Sequence, residues 1–278
     1  MPDCTISFVL FHTPVEEVTR VVASVCAAQA DVRVWLIDNS VPPMTLPTLP
    51  AGVTVVATGE NLGFGRAHNI ALRESAGLAR YHFFLNTDLE LDGGAIDGMI
   101  AFLDAHPGAG LAMPKVIYPD GRIQRLCRLL PDPVGLVARR FLGKTRWGRA
   151  RNERYEFHHW NYDTVASFPF LSGCFMAVRR SVLDRIGGFD ERFFLYAEDV
   201  DLSRRIHAVS DTLFVPSVTV THEYRSHARR NWRLLRHLFV NFARYFNKWG
   251  WIRDPERSRV NAATVARLET TPGDGALR

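Results

Sequence analysis

The chain of 278 residues is 47% hydrophobic, 23% charged and 11% aromatic, which excludes disordered, collagen-like and coiled-coil classes and allows a sizeable buried core. Its formal charge of +5 is unevenly spread: residues 225–259 carry ten Lys or Arg against two acids, residues 139–154 carry seven against one, and the remainder is acidic. Two basic segments on an acidic body predict an anionic partner met at defined places. The cysteines Cys4, Cys26, Cys127 and Cys174 form no CxxC pair, so neither a zinc site nor a disulfide framework is indicated and a reducing compartment fits. The start MPDCTISFVLFH lacks the basic opening of a signal peptide, and no stretch approaches the roughly 18 to 20 apolar residues of a membrane span. A cytoplasmic protein, soluble or peripheral, is expected.

In chain order, Ile6 to Phe11 reads as a buried strand, Val15 to Ala28 as a helix, Val32 to Asp38 and Val53 to Ala57 as strands, Arg66 to Ser75 as a helix and Tyr81 to Asn86 as a fourth strand. The alternation predicts parallel βαβ units in a doubly wound α/β sheet, whose ligands sit beyond the carboxyl ends of the strands. Strand two ends in Asp38-Asn39-Ser40, and strand four runs into NTDLEL, which sets Asp88 and Glu90 two apart. In extended backbone such residues point the same way, so both carboxylates can face one ligand. Residues 118–160, with Pro119, Pro131, Pro133 and the basic run, read as loop-rich and surface-lying. FPFLSGCFMAVRR restores a strand, a short helix follows, and from Glu198 the positions Val200, Leu202 and Ile206 predict a helix with an acidic first turn. Near the end, Trp232, Leu235, Leu238, Phe239, Phe242, Tyr245, Phe246 and Trp249 oppose Arg233, Arg236, His237, Arg244 and Lys248 in a basic amphipathic helix. Residues 261–278 read as a flexible tail.

Paired carboxylates at a strand end are hard oxygen donors suited to a magnesium or manganese ion that also holds a diphosphate, although acids there are more often solvated turn residues. Asp38, at the neighbouring strand end, can accept from a pyrimidine N3–H, and ENLGFGRAHN supplies a glycine-bearing turn into a helix. The first strand-to-helix turn, FHTPVEE, contains no glycine, which disfavours a dinucleotide-binding fold and the phosphate loop of a nucleotidyltransferase. The cluster Glu198, Asp199 and Asp201 reads either as a solvated helix start or, because Phe193-Phe194-Leu195-Tyr196 precedes it, as partly desolvated carboxylates poised as a base.

DNS after strand two, ENLGFGRAHN, NTDLEL, YPDGRIQ, SGCFMAVRR, GGFDERFFLYAEDVDLSRRI and THEYRSH occur in this order. Over residues 5–227 the set resembles inverting family 2 glycosyltransferases of the GT-A fold, and within them the bacterial rhamnosyltransferase-like branch. The resemblance implies that Asp38 reads the pyrimidine of a nucleotide-diphospho-sugar and that Asn61, Gly63, Arg66, Asn69 and Asp88 contact this donor. It implies that Asp88 and Glu90 stand at the metal motif with His222 beside them, so that a divalent cofactor, Mg2+ or Mn2+, is expected. Asp199 matches the catalytic base, with Glu198 and Asp201 around it on the acceptor side. The pattern departs from the usual one where Glu90 replaces an aspartate, Thr87 stands where proline is common, and FHTP replaces Tyr-Asn. The expected division is a GT-A catalytic domain over 1–227, with a nucleotide-sugar-binding half to 115 and an acceptor and catalytic half beyond it, then a basic amphipathic extension over 228–260 and the tail.

The activity implied is metal-assisted single displacement with inversion. The branch suggests L-rhamnose from dTDP-rhamnose, moved to a hydroxyl of a saccharide or polyprenyl-diphosphate-linked saccharide in cell-surface polysaccharide (O-antigen-type) synthesis. The alternatives are a UDP-hexose or UDP-N-acetylhexosamine donor, or a non-catalytic nucleotide-sugar-binding protein. The terminal helix either packs on the domain or meets an anionic membrane surface with Trp232, Trp249 and Trp251 at the interface, which would place the enzyme at the inner face of the cytoplasmic membrane. Nucleic acid is disfavoured, because the arginines of that helix share their surface with large apolar side chains.

Overall fold

The apolar β-branched runs become strands and the amphipathic stretches become helices close to the expected bounds. In the computed structural model of the chain, which describes residues 1–223 and 232–270, the first half comprises β1 (Cys4–Leu10), α1 (Val15–Cys26), β2 (Val32–Asp38), β3 (Val53–Ala57), α2 (Phe64–Glu74), β4 (Tyr81–Leu85), β5 (Leu89–Glu90), α3 (Ala95–Ala105) and β6 (Ala109–Ile117). There follow β7 (Cys127–Arg128), α4 (Pro133–Phe141), α5 (Arg146–Tyr155), β8 (Ala166–Ser167), β9 (Phe170–Leu171), β10 (Phe175–Arg179), α6 (Arg180–Ile186), α7 (Glu198–His207), β11 (Asp211–His222), α8 (Trp232–Trp249) and α9 (Pro255–Thr270).

The main sheet runs β3-β2-β1-β4-β10-β6-β11-β5, with β8 on β11. Its first four strands are parallel, as the βαβ alternation requires; β10 then enters antiparallel between β4 and β6, and β11 lies parallel to β6. Because β1, β2 and β4 run the same way, the segments after Leu10, Asp38 and Leu85 leave at one edge, where a ligand is expected. One face is covered by α1 and α3 through Val18, Val21, Val25, Met99 and Leu103, and the other receives Leu72 of α2, Leu183 of α6 and Leu202 and Ile206 of α7. Each such buried side chain contributes about 1.5–3 kcal/mol relative to exposure.

Two expectations are corrected. Residues 118–160 are not mainly loop: α4 starts at Asp132, whose side chain accepts from the Gly135 amide at 2.8 Å with Pro133 in the first turn, and α5 starts at Thr145, which accepts from the Gly148 amide at 3.1 Å. An Asp-Pro pair is a helix start as well as a turn signal, because proline's missing N–H is not needed there. The tail from 261 is helical through Thr270, since Val265 and Leu268 are buried against the second face of the sheet; residues 271–278 lie outside those described. Of the two readings of α8, packing on the domain is observed: its Phe242, Tyr245 and Phe246 lie with Phe193 and Val200. Trp249 points inward to Asp201, at 2.8 Å, and only Trp232 and Trp251 of the three tryptophans are exposed. The expected boundary at 227 falls among residues 224–231, outside the described chain.

Candidate active site

Two acidic centres lie at the edge where β1, β2 and β4 end. The first is set by strand register. Pairing of β5 with the end of β11 places Leu89 opposite His222, which brings the preceding Asp88 alongside the imidazole, Oδ1 to Nε2 3.1 Å. Gln124 orients the imidazole. Its amide nitrogen donates to the His222 carbonyl at 2.7 Å and the Ile117 carbonyl at 3.4 Å, so its oxygen, 2.8 Å from Nδ1, accepts a hydrogen bond from that nitrogen. Nε2 is thereby turned toward Asp88. A nitrogen and a carboxylate oxygen so oriented suit a divalent cation, and the outer hydrogen bond to Gln124 is of the kind that fixes a ligating histidine.

Glu90 is not part of this pair. Its half-exposed carboxylate turns toward Arg20 at 4.0 Å, because β5 has only two residues and does not carry the alternation from 88 to 90. Among the described residues no three His, Cys, Asp or Glu side chains converge as a metal group. Asp88 and His222 therefore fit as two ligands of an incomplete protein set. Tyr224 to His227 of the THEYRSH segment lie outside the described residues.

The second centre is the first turn of α7. Tyr196 and Ala197 adopt left-handed backbone with φ of 70° and 71°, a sharp entry that turns Asp199 back onto the β9–β10 connection. There Asp199 Oδ2 accepts from the Gly173 amide at 3.1 Å and Oδ1 from its neighbour Val200 at 2.9 Å. Gly173 is required by this approach, since a Cβ on it would lie 3.0 Å from the Asp199 Cβ. Burial raises the Asp199 pKa, while the two amides and the Arg128 guanidinium draw it down. Beside it Glu198 is 4% exposed, its Oε2 has no hydrogen-bond partner among the described residues, and burial together with the Asp199 charge pushes its carboxyl up to about 8, so that of the two Glu198 is the one favoured to hold a proton near neutral pH.

Other expected ligands also hold parts of the fold together. Asp38 is 1% exposed and accepts from the Ser40 amide at 2.9 Å and the Met44 amide at 2.6 Å, so its carboxylate shapes the loop after β2. Asn69 clamps α2 to the loop before α7: it donates to the Phe189 carbonyl at 2.8 Å and accepts from the Phe189 amide at 2.9 Å. Asp201 is wholly buried and turned away from the site, taking Arg205 at 2.8 Å, Lys248 at 2.6 Å and the Trp249 indole. Asn61 accepts from the Gly63 amide at 3.0 Å and remains exposed. Gly63, at φ 78°, lies so close to the Phe194 carbonyl that a Cβ would clash at 2.1 Å. Arg66 is half-exposed on the wall of a cleft, 3.8 Å from Glu191. Gln124, Arg128 and Gly173 escaped the sequence reading as site residues; YPDGRIQ and SGC stood out, but their contacts lie 26 to 98 residues away.

A mostly parallel sheet of this topology with helices on both faces is the GT-A type of fold. The model of the glycosyl transferase family 2 matches residues 9–187, and the chain belongs to that family. It is 32% identical over 237 residues to an N-acetylglucosaminyl-diphospho-decaprenol L-rhamnosyltransferase of Mycobacterium tuberculosis, covering 78% of this chain and 75% of that one. An O-antigen biosynthesis protein of Myxococcus xanthus is 27% identical over 199 residues, 69% of this chain and 15% of its own length. Among solved structures, the mannosyltransferase PcManGT of Pyrobaculum calidifontis, in complex with GDP-Man and Mn2+, is similar in fold, with a TM-score of 0.54 at 15% identity over 98% of this chain and 76% of that one. GalNAc-T7 with UDP, GalNAc and Mn2+ gives a TM-score of 0.58 at 17% identity over 81% of this chain and 44% of its own. No helix of the described residues is long and apolar enough to cross a membrane.

Proposed function

We propose that the chain is an inverting rhamnosyltransferase that moves L-rhamnose from dTDP-rhamnose to a hydroxyl of a polyprenyl-diphosphate-linked saccharide, in the assembly of a cell-surface polysaccharide. The observation that carries the chemistry is Asp199, held by the Gly173 amide beside a protonated Glu198. The donor and acceptor classes rest on the likeness to the mycobacterial rhamnosyltransferase. Asp199 takes the proton of the acceptor hydroxyl, the freed oxygen attacks the anomeric carbon from the face opposite the leaving group, and the nucleoside diphosphate departs with inversion. Asp88 and His222 would hold a divalent metal, which when bound supplies neutralisation of the charge growing on the leaving diphosphate. Asn61 and Arg66 remain as polar contacts for the donor, while Asp38 acts through the loop it shapes.

The enzyme would work at a membrane surface as a peripheral protein. Supporting this are the exposed Trp232, Trp251 and Ile252, with exposures of 69%, 47% and 91%, at the two ends of the basic α8.

The test is transfer from dTDP-rhamnose, with UDP-hexoses and UDP-N-acetylhexosamines as competitors, to a short-chain polyprenyl-diphosphate-linked N-acetylglucosamine in the presence of Mg2+ or Mn2+. Formation of the inverted glycoside is expected. Asp199→Asn should lower kcat about 10²- to 10⁴-fold while nucleotide binding persists; a variant with near-normal turnover would remove Asp199 from the role of base. Transfer from a UDP-sugar alone would reassign the donor.

A further inference from the structure

The basic face of α8 and the donor-side loop before α2, which belong to distant parts of the chain, meet in one cleft of about 810 Å³. Five cationic side chains line it, Arg66, Arg192, Arg236, Arg244 and Lys248, against the single carboxylate of Glu191. The imbalance does not vanish when ion pairs are counted. Lys248 is matched by Asp190 at 2.8 Å and Asp201 at 2.6 Å, Arg192 by Asp190 at 2.6 Å, and Glu191 is shared by Arg66 and Arg73. Arg236 and Arg244 have no carboxylate partner among the described residues. Arg244 is nevertheless held in place, donating to the Arg192 carbonyl and to Asn241 at 3.1 Å, while Asn241 is itself anchored on the Leu195 carbonyl at 2.7 Å. A fixed, uncompensated guanidinium facing a cleft of this size is built to take phosphate oxygens.

We infer that this cleft seats the diphosphate of the acceptor, apart from the place of the donor diphosphate at Asp88 and His222; the inference rests on the acceptor class proposed above. Neither Asp88 nor His222 lines the cleft. Phe194 lines the cleft, stacks on His237 of α8 at 4.6 Å, and through its carbonyl holds the Phe64 amide at 2.9 Å. The Phe64 ring in turn lies against Gly173, the residue that donates to Asp199. Phe194 and Phe64 thus link the cleft to the turn that holds Asp199, and an acceptor whose hydroxyl reaches Asp199 would lay its phosphates against Arg236 and Arg244 on the α8 side. Its apolar chain would leave along the exposed Val240 and Trp232 of the same helix.

Farnesyl diphosphate serves as the probe, titrated by calorimetry into the full chain already saturated with dTDP and Mg2+, so that the donor site is filled. The wild type should bind it, Arg236→Glu and Arg244→Glu should weaken it at least about tenfold, and Arg236→Lys should retain most of the affinity. In turnover, the same Glu variants should raise KM for the diphosphate-linked acceptor about tenfold or more and leave KM for an octyl glycoside of the same sugar unchanged. A parallel loss of dTDP affinity would assign the cleft to the donor and overturn the inference, as would equal losses with both acceptors or no change with either. Should the wild type transfer sugar yet bind no probe, the acceptor site lies elsewhere and the proposed function stands. Binding of the probe by a chain that transfers no sugar would uphold the diphosphate site and refute the proposed reaction.

Discussion

At the scale of single residues, burial and the neighbouring Asp199 charge hold the Glu198 carboxyl protonated well above the usual carboxylate range. Glu198 ionises near 4.5 in the unfolded chain and at about 8 in the folded one, so between those values the native state keeps a proton that the unfolded state has released. Stability from this group is complete below 4.5 and is lost as pH rises through 8, at about 1.4 kcal/mol per pH unit. Glu198→Gln removes the linkage: urea midpoints of the wild type should fall relative to the variant between pH 6 and 8, and parallel curves would refute the buried neutral carboxyl. Gln preserves the neutral state, so transfer at pH 7 should largely survive, in contrast to Asp199→Asn. Of the site, Asp199 was legible because its setting is local, an acidic helix start behind an aromatic run. Asp38 was read from its place at a strand end, but its carboxylate serves an Asx-type turn onto Ser40 and on to Met44, a competing use of the same residue. Asn69 could not be read at all, since its partner Phe189 lies 120 residues away.

At the scale of elements, α7 is clasped by the C-terminal helices. Arg204 is buried and bidentate with Asp254, both contacts 2.7 Å, reaches Glu256 at 2.8 Å, and lies over the Trp249 ring at 4.0 Å. One turn earlier Asp201 binds Lys248 and Trp249 of α8. The same helix therefore carries the proposed base, Asp199, in its first turn and its anchorage at Asp201 and Arg204. Asp254→Ala would leave the buried guanidinium with Glu256 as its one carboxylate among the described residues, beside the Tyr245 hydroxyl at 3.3 Å, at a cost of about 3 kcal/mol. A lower melting temperature together with a reduced kcat is expected; a melting temperature within a degree of wild type would show that the network contributes little. Helix periodicity disclosed α7 and α8 separately, whereas the contact between them depends on ion pairs of long sequence separation that no periodicity records. The short β5 illustrates the same limit, since its pairing with β11 decides that Asp88 meets His222 and that Glu90 does not.

At the scale of the molecule, α8 and α9 pack on the sheet and α7 and share their buried clusters. Phe242, Tyr245 and Phe246 cover Phe193 and Val200, while Val265 and Leu268 close the second face of the sheet. Deleting residues 228–278 should therefore abolish cooperative unfolding in circular dichroism and yield aggregated protein in gel filtration. A truncated chain that melts as sharply as the full one would make the extension an accessory. The uneven charge noticed at the outset also changes meaning at this scale, because part of the basic helix turns inward to Asp190 and Asp201 and part lines the cleft against α2. Sequence alone determined the βαβ alternation, the amphipathic helices and the carboxylates at strand and helix ends, because those follow from periodicity and from residues close in the chain. Only the tertiary structure decided which carboxylates face the site, which are consumed in holding loops and helices, and which cations are left over. Those outcomes depend on partners tens to more than a hundred residues apart, where packing and strand register, not local propensity, set the distances.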